Sequence, residues 1–165
     1  MSFESKVVCV IPVRLNSSRF PRKMLHSIQG KTLIQRTIEN AKSFSFLDQP
    51  YIATDSLEIA KHVEHLAPII ITSSNPPSGT DRIAEALSSS IHLQGASFVI
   101  NLQGDHPFVS SETVKSALDL LIEDPLSDIS TAVFPCSKEQ AKNPHIVKCV
   151  FDKNQTALYF SRSLI

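Results

Sequence analysis

Four cations fall within one short segment, Ile11-Pro-Val-Arg-Leu-Asn-Ser-Ser-Arg-Phe-Pro-Arg-Lys23, where Arg14, Arg19, Arg22 and Lys23 are interleaved with Asn16, Ser17 and Ser18. Polyphosphate suits that mixture. Arginine forks grip oxygens two at a time, lysine supplies a point charge, and a small-residue turn lets backbone N–H groups approach. The competing reading is a solvated basic loop. Between Ser5 and Ile38 there is no Asp or Glu, and Lys6, Arg14, Arg19, Arg22, Lys23, Lys31 and Arg36 give that stretch a charge of +7. The whole chain has 16 basic and 16 acidic residues, so the remainder carries −7. One basic segment in a neutral chain points to a local anion site rather than to nucleic acid.

A second cluster is Gln103-Gly104-Asp105, directly after an apolar run. Gly-Asp alone marks a turn as readily as a site. Opposite a phosphate loop, however, a carboxylate is what Mg²⁺ takes, together with phosphate oxygens and water. Other chemistries find less support. The only glycines, Gly30, Gly79, Gly95 and Gly104, cannot write a dinucleotide fingerprint. Gly30-Lys31-Thr32 imitates the end of a P-loop, but Leu25 stands where its first glycine belongs, and the segment reads as the start of a helix. His62 and His65 with Glu58 read as a solvated helix face. Cys9, Cys136 and Cys149 lack paired spacing and read as buried small hydrophobes rather than as a disulfide framework or zinc site.

The elements that must position these groups alternate. Lys6 to Val13 is a nearly continuous apolar run, expected of a strand covered on both faces and ended by Pro12 and Arg14. Residues 30 to 43 read as a helix with Leu33, Ile34, Thr37, Ile38 and Ala41 on one face. Strands are expected at 50–54, 68–72, 97–102, 129–134 and 146–151. Helices are expected from Asp55, with Glu58 completing a capping box, to His65; from Thr80 to about Leu93; and after Ser110 or Ser111, with Val114, Leu118, Leu121 and Ile122 inward. This order predicts an α/β fold with a mostly parallel, doubly wound sheet. Ligands of such sheets gather at the carboxyl ends of the strands. The basic loop Arg14 to Lys23, Asp55, Arg82 after the loop that follows the third strand, and Gln103-Gly104-Asp105 all fall there.

With those residues in place, the chain resembles the cytidylyltransferases that activate acidic sugars, above all those for 3-deoxy-manno-octulosonate (Kdo). The resemblance rests on Ile11-Pro-Val-Arg with Ser18-Arg-Phe-Pro-Arg-Lys23, Ala53-Thr-Asp55, Ser78-Gly-Thr-Asp-Arg82, Asn101-Leu-Gln-Gly-Asp105, Asn143-Pro with Val147-Lys148, and Ala157-Leu-Tyr-Phe-Ser-Arg162. It implies a Rossmann-like nucleotidyltransferase fold of the glycosyltransferase-A type. The implied reaction joins CTP and Kdo to give CMP-Kdo and pyrophosphate for lipopolysaccharide biosynthesis. Arg14, Lys23 and Asp105 are then the catalytic residues, with Arg14, Arg19 and Lys23 on the phosphates. Ser78, Gly79 and Arg82 line the cytosine and ribose, Gln103 and Arg162 face the sugar acid, and Asp105 binds Mg²⁺.

Three departures from the family pattern stand out: His106 in place of a glutamate, Pro76 and Pro77 in place of a histidine, and Arg22 in place of a glycine. Family members also run on past Ile165. Residues 1–165 are therefore expected to be the nucleotide-binding part of a single nucleotidyltransferase domain, C-terminally truncated and short of full turnover. The full-length form is expected to be a cytoplasmic homodimer, with no nucleic-acid or membrane partner. Competing readings are a cytidylyltransferase for another acidic sugar such as sialic acid, a CTP-binding module without transfer, and a generic α/β domain.

Overall fold

A computed structural model describes residues 6–15 and 20–165. Arg19, expected at the phosphates, lies outside the described residues, as do Asn16, Ser17 and Ser18. The chain divides into two compact units, Met1–Asp128 and Ile129–Ile165. The elements in order are β1 (Val7–Val13), a 3-10 turn (Lys23–Leu25), β2 (Ser27–Ile28), β3 (Lys31–Thr32), α1 (Leu33–Lys42), β4 (Pro50–Thr54), α2 (Leu57–Val63), β5 (Ile69–Ile71), α3 (Gly79–Ser89), β6 (Phe98–Asn101), α4 (Ser111–Glu123), α5 (Lys138–Ala141), β7 (Lys148–Phe151) and β8 (Ala157–Ser161).

In the first unit four parallel strands lie in the order β5-β4-β1-β6. The expected α/β, doubly wound architecture is what forms. Side chains alternate across β1: Cys9, Ile11 and Val13 pack with Ile34, Ile38, Ile59 and Val63 of α1 and α2, while Val8 and Val10 pack with Ile83 and Ala86 of α3. Helices therefore cover both faces, which is why β1 reads as an unbroken apolar run. Pro12 has no N–H to give and sits where the β6 ladder has already ended, at the Val10↔Asn101 pair. The buried face of α1 is Leu33, Ile34, Thr37, Ile38 and Ala41, as its periodicity predicts.

Helix starts follow local chemistry more finely than the pattern suggested. Helix α1 begins at Leu33, not at residue 30: Thr32 and Gln35 form a reciprocal capping box, and Gly30, at φ 80°, turns the β2–β3 hairpin instead. The α2 cap is Ser56, whose hydroxyl accepts the Ile59 N–H, so Asp55 is released for another partner. Ser110 caps α4, whose inward side holds Leu118 and Val114, whereas Ile122 is exposed.

The second unit corrects two expectations. Residues 129–134 form no strand, and Ile129, Val133 and Phe134 are exposed. Apolar composition favours extended backbone, but a strand exists only with a ladder partner. The strand near 146–151 is β7, and it pairs antiparallel with β8 rather than joining a parallel sheet. The intervening turn is built by Asp152, whose side chain accepts the Asn154 and Thr156 N–H groups. Lys148 is buried, its ammonium donating to the carbonyls of Ile146, Asn143 and Arg162. Among the cysteines, Cys9 is buried and its thiol pKa is pushed up to about 12 by desolvation, but Cys136 is exposed.

Candidate active site

Strand order reverses at β1: β4 and β5 follow on one side, and the chain then crosses to place β6 on the other. The loop after β1 and the turn after β6 thus leave neighbouring strands at the carboxyl edge, the position where open α/β sheets bind ligands. Lys23 comes from the first and Asp105 from the second. Their side chains meet, with Nζ 2.6 Å from Oδ2, and each remains about a third exposed, at 37% and 36%.

The sequence builds this meeting from behind. Thr37, buried on α1, donates its hydroxyl to the Gly104 carbonyl at 2.7 Å, and Asn40 donates to the Val109 carbonyl at 2.9 Å. A Cβ on Gly104 would lie 3.3 Å from Met24 Sδ and 3.5 Å from Val13 Cγ2. Glycine there lets the 3-10 turn that carries Lys23 come close to the turn that carries Asp105. Burial alone would raise the Asp105 pKa; the hydrogen bond and charge of Lys23, with a further contribution from His106, outweigh it and hold the carboxyl below its ordinary value. His106 Nε2 is 3.9 Å from Asp105 Oδ1, on a mostly exposed ring.

Arg14, directly after β1, donates through Nη2 to the Pro76 carbonyl. Arg22 takes a left-handed backbone, φ 57°, where the resemblance leads one to expect a glycine, and its guanidinium pairs with Glu58 of α2. Several charges of the basic stretch are therefore answered internally. Lys31 pairs with Glu39, while Lys6 and Arg36 donate to backbone carbonyls.

On the far side of β1, Ser78 caps α3 in a box with Asp81. A Cβ on Gly79 would fall 3.1 Å from Pro12 Cγ and 3.6 Å from Gln103 Nε2, so Gly79, Pro12 and Gln103 are brought together. Gln103 donates to Asn101 Oδ1 at 2.6 Å. Arg82, expected to line the cytosine and ribose, is wholly buried. Its Nη1 donates to the Thr72 hydroxyl and to the Ser73 carbonyl, and Nη2 lies 3.1 Å from Asp55 Oδ2. The i, i+3 pair Arg82 and Glu85 was the available signal, since both reach the residues that follow β5. Arg162 belongs to the second unit, where its Nη1 lies 3.4 Å from the Pro144 carbonyl.

No group of three or more His, Cys, Asp and Glu side chains gathers to hold a metal among the described residues. Mg²⁺ does not need such a cage: one carboxylate completed by phosphate oxygens and water is a normal shell. The partly exposed, ionised Asp105 beside a cationic loop fits that role. No helix among the described residues is long and apolar enough to cross a membrane.

A parallel sheet with a cationic loop and a carboxylate at its switch point defines a nucleotidyltransferase-type site, and residues 8–165 match the family model described as "Cytidylyltransferase". The chain belongs to the cytidylyltransferase family. It is 44% identical over 162 residues to the 3-deoxy-manno-octulosonate cytidylyltransferase of Protochlamydia amoebophila, an alignment covering 97% of this chain and 62% of that protein. It is 46% identical over 164 residues to the enzyme of the same name from Thermodesulfovibrio yellowstonii, covering 96% and 64%. A solved structure of CMP:2-keto-3-deoxy-manno-octonic acid synthetase complexed with CTP superposes with a TM-score of 0.83 at 36% identity, covering 98% of this chain and 66% of that one. The chain thus spans a little under two thirds of the length of these relatives.

Proposed function

We propose that this chain carries the CTP-binding part of a Kdo cytidylyltransferase, the site at which CTP and Kdo give CMP-Kdo and pyrophosphate. The observation that carries the reading is the Lys23 to Asp105 contact at 2.6 Å, which joins the two neighbouring loops at the carboxyl edge. The names of the relatives supply the sugar and the base. Residues 1–165 are on this reading the nucleotide-binding part of one nucleotidyltransferase domain, working as a homodimer in the cytoplasm for lipopolysaccharide synthesis.

Two anions must be brought together for in-line attack of the sugar's anomeric hydroxyl on the α-phosphorus. Positioning and charge neutralisation are therefore the protein's main tasks. Lys23, Arg14 and Arg19 hold the triphosphate and disperse charge on the departing pyrophosphate. Ser78 and Gly79 present the exposed start of α3 to the nucleoside, and Gln103 takes the sugar acid. Asp105 would hold Mg²⁺, which would supply positive charge against the phosphate oxygens. Arg82 stays inside and braces Asp55 and the end of β5.

Calorimetric titration with CTP, UTP, ATP and GTP, with and without Mg²⁺, tests this. CTP is expected to bind best and to need the ion. Lys23→Ala should weaken CTP by about 1.5–3 kcal/mol, the range for a charge-assisted contact, and leave cytidine unaffected. Equal affinity for all four nucleotides, or CTP affinity unchanged by Lys23→Ala, overturns the reading. Pyrophosphate release with Kdo or sialic acid then decides the sugar.

A further inference from the structure

Residues 72–78 join β5 to α3 without regular structure, yet Ser73 is held at every polar group it has. Glu85 of α3 accepts the Ser73 N–H on Oε1 at 2.5 Å and the Ser73 hydroxyl on Oε2 at 2.8 Å. Buried Arg82, one turn earlier, donates to the Ser73 carbonyl at 3.1 Å. The far end of the segment is fixed by the Ser78 cap of the same helix. Between these anchors lie Pro76, which is buried, and Pro77, each with a locked φ. The Pro76 carbonyl is what receives Arg14.

We propose that Glu85 is a positioning residue for Arg14: by fixing Ser73 it sets the path to Pro76, whose carbonyl holds the Arg14 guanidinium ready for the triphosphate. The inference rests on Arg14 being a phosphate ligand, as proposed above, but the Glu85–Ser73 and Arg14–Pro76 contacts stand without it. A guanidinium held in advance loses less conformational freedom when it meets its anion. The Ser73 backbone N–H, then its hydroxyl, keep the Glu85 carboxyl below its ordinary pKa despite an opposing desolvation effect, so the anchor is ionised at neutral pH.

A double-mutant cycle in Mg·CTP titrations separates positioning from general stability. Glu85→Gln is expected to weaken CTP about three- to tenfold in the wild-type background and to have no further effect in Arg14→Ala, with cytidine affinity constant throughout. Ser73→Ala, which removes the hydroxyl's contacts with Glu85 and with the Asn75 N–H but keeps the backbone bond to Glu85, should show a smaller loss of the same kind. The side-chain NMR resonance of Arg14 Nε, recorded without ligand, should move in Glu85→Gln toward that of a freely exposed arginine. Additive losses in the cycle, or an Arg14 resonance indifferent to Glu85→Gln, overturn the proposal. Should the wild type bind no CTP, the functional reading falls, and the Arg14 resonance alone still decides whether Glu85 positions it.

Discussion

Asp105 shows what its surroundings do to one carboxyl. Its pKa lies below the unfolded value of 3.8, so its contribution to stability is fully present above about pH 3.8 and is lost as pH falls through the lower folded value. Replacing it with Asn should therefore cost stability at neutral pH, and the difference from wild type should shrink only in that acid window. The pair is more than a third exposed on both sides, so the loss is about 0.5–1 kcal/mol at most. Urea midpoints at pH 7 and pH 3 measure it; a difference that grew on acidification would contradict the assignment. Lys23 and Asp105 were legible because both follow apolar strands in a chain whose alternation fixes which edge they share. Arg82 and Glu85 were not. Their types and spacing show that they share a helix face, but not that the face is turned against Thr72, Ser73 and Asp55.

At the level of elements, the alternation of strands and helices was readable where periodicity was strong, as in β1 and α1, and failed where pairing decides. Residues 129–134 have the composition of a strand and no ladder; β8 has a partner that only the Asp152 turn reveals. Close approach between elements was equally hidden, since it depends on the missing Cβ atoms of two glycines. Gly79→Ala sets a methyl 3.1 Å from the Pro12 ring, which cannot swing aside, and should destabilise by about 1–3 kcal/mol. Gly104→Ala meets the flexible Met24 thioether at 3.3 Å and should cost less. Denaturant midpoints of the two variants give the comparison, and the reverse order would show that the β1–α3 approach is not the tight one.

Across the whole molecule, a chain with no net charge gathers cations in its first third. Folding brings carboxylates to Arg22, Lys23 and Lys31, which composition cannot show because Glu58, Asp105 and Glu39 are distant in sequence or lie outside the basic stretch. The field left at the carboxyl edge is thus weaker than a charge of +7 implies. Raising salt from about 10 to 150 mM should slow CTP association several-fold and leave dissociation nearly constant, because screening acts on the approach. Stopped-flow traces at both salts decide it; an association rate independent of salt would leave the cationic loop without a steering role.

The bond between Lys23 and Asp105 also selects its guests by sign. A bare anion that draws the ammonium away leaves the carboxylate only water, and a bare cation at the carboxylate does the same to the ammonium. A visitor carrying both, a metal-chelated polyphosphate, satisfies the two partners in a single swap. Inorganic phosphate or a free divalent ion answers only one of the two, and so gains less there by what the exposed pair is worth, about 0.5–1 kcal/mol at most.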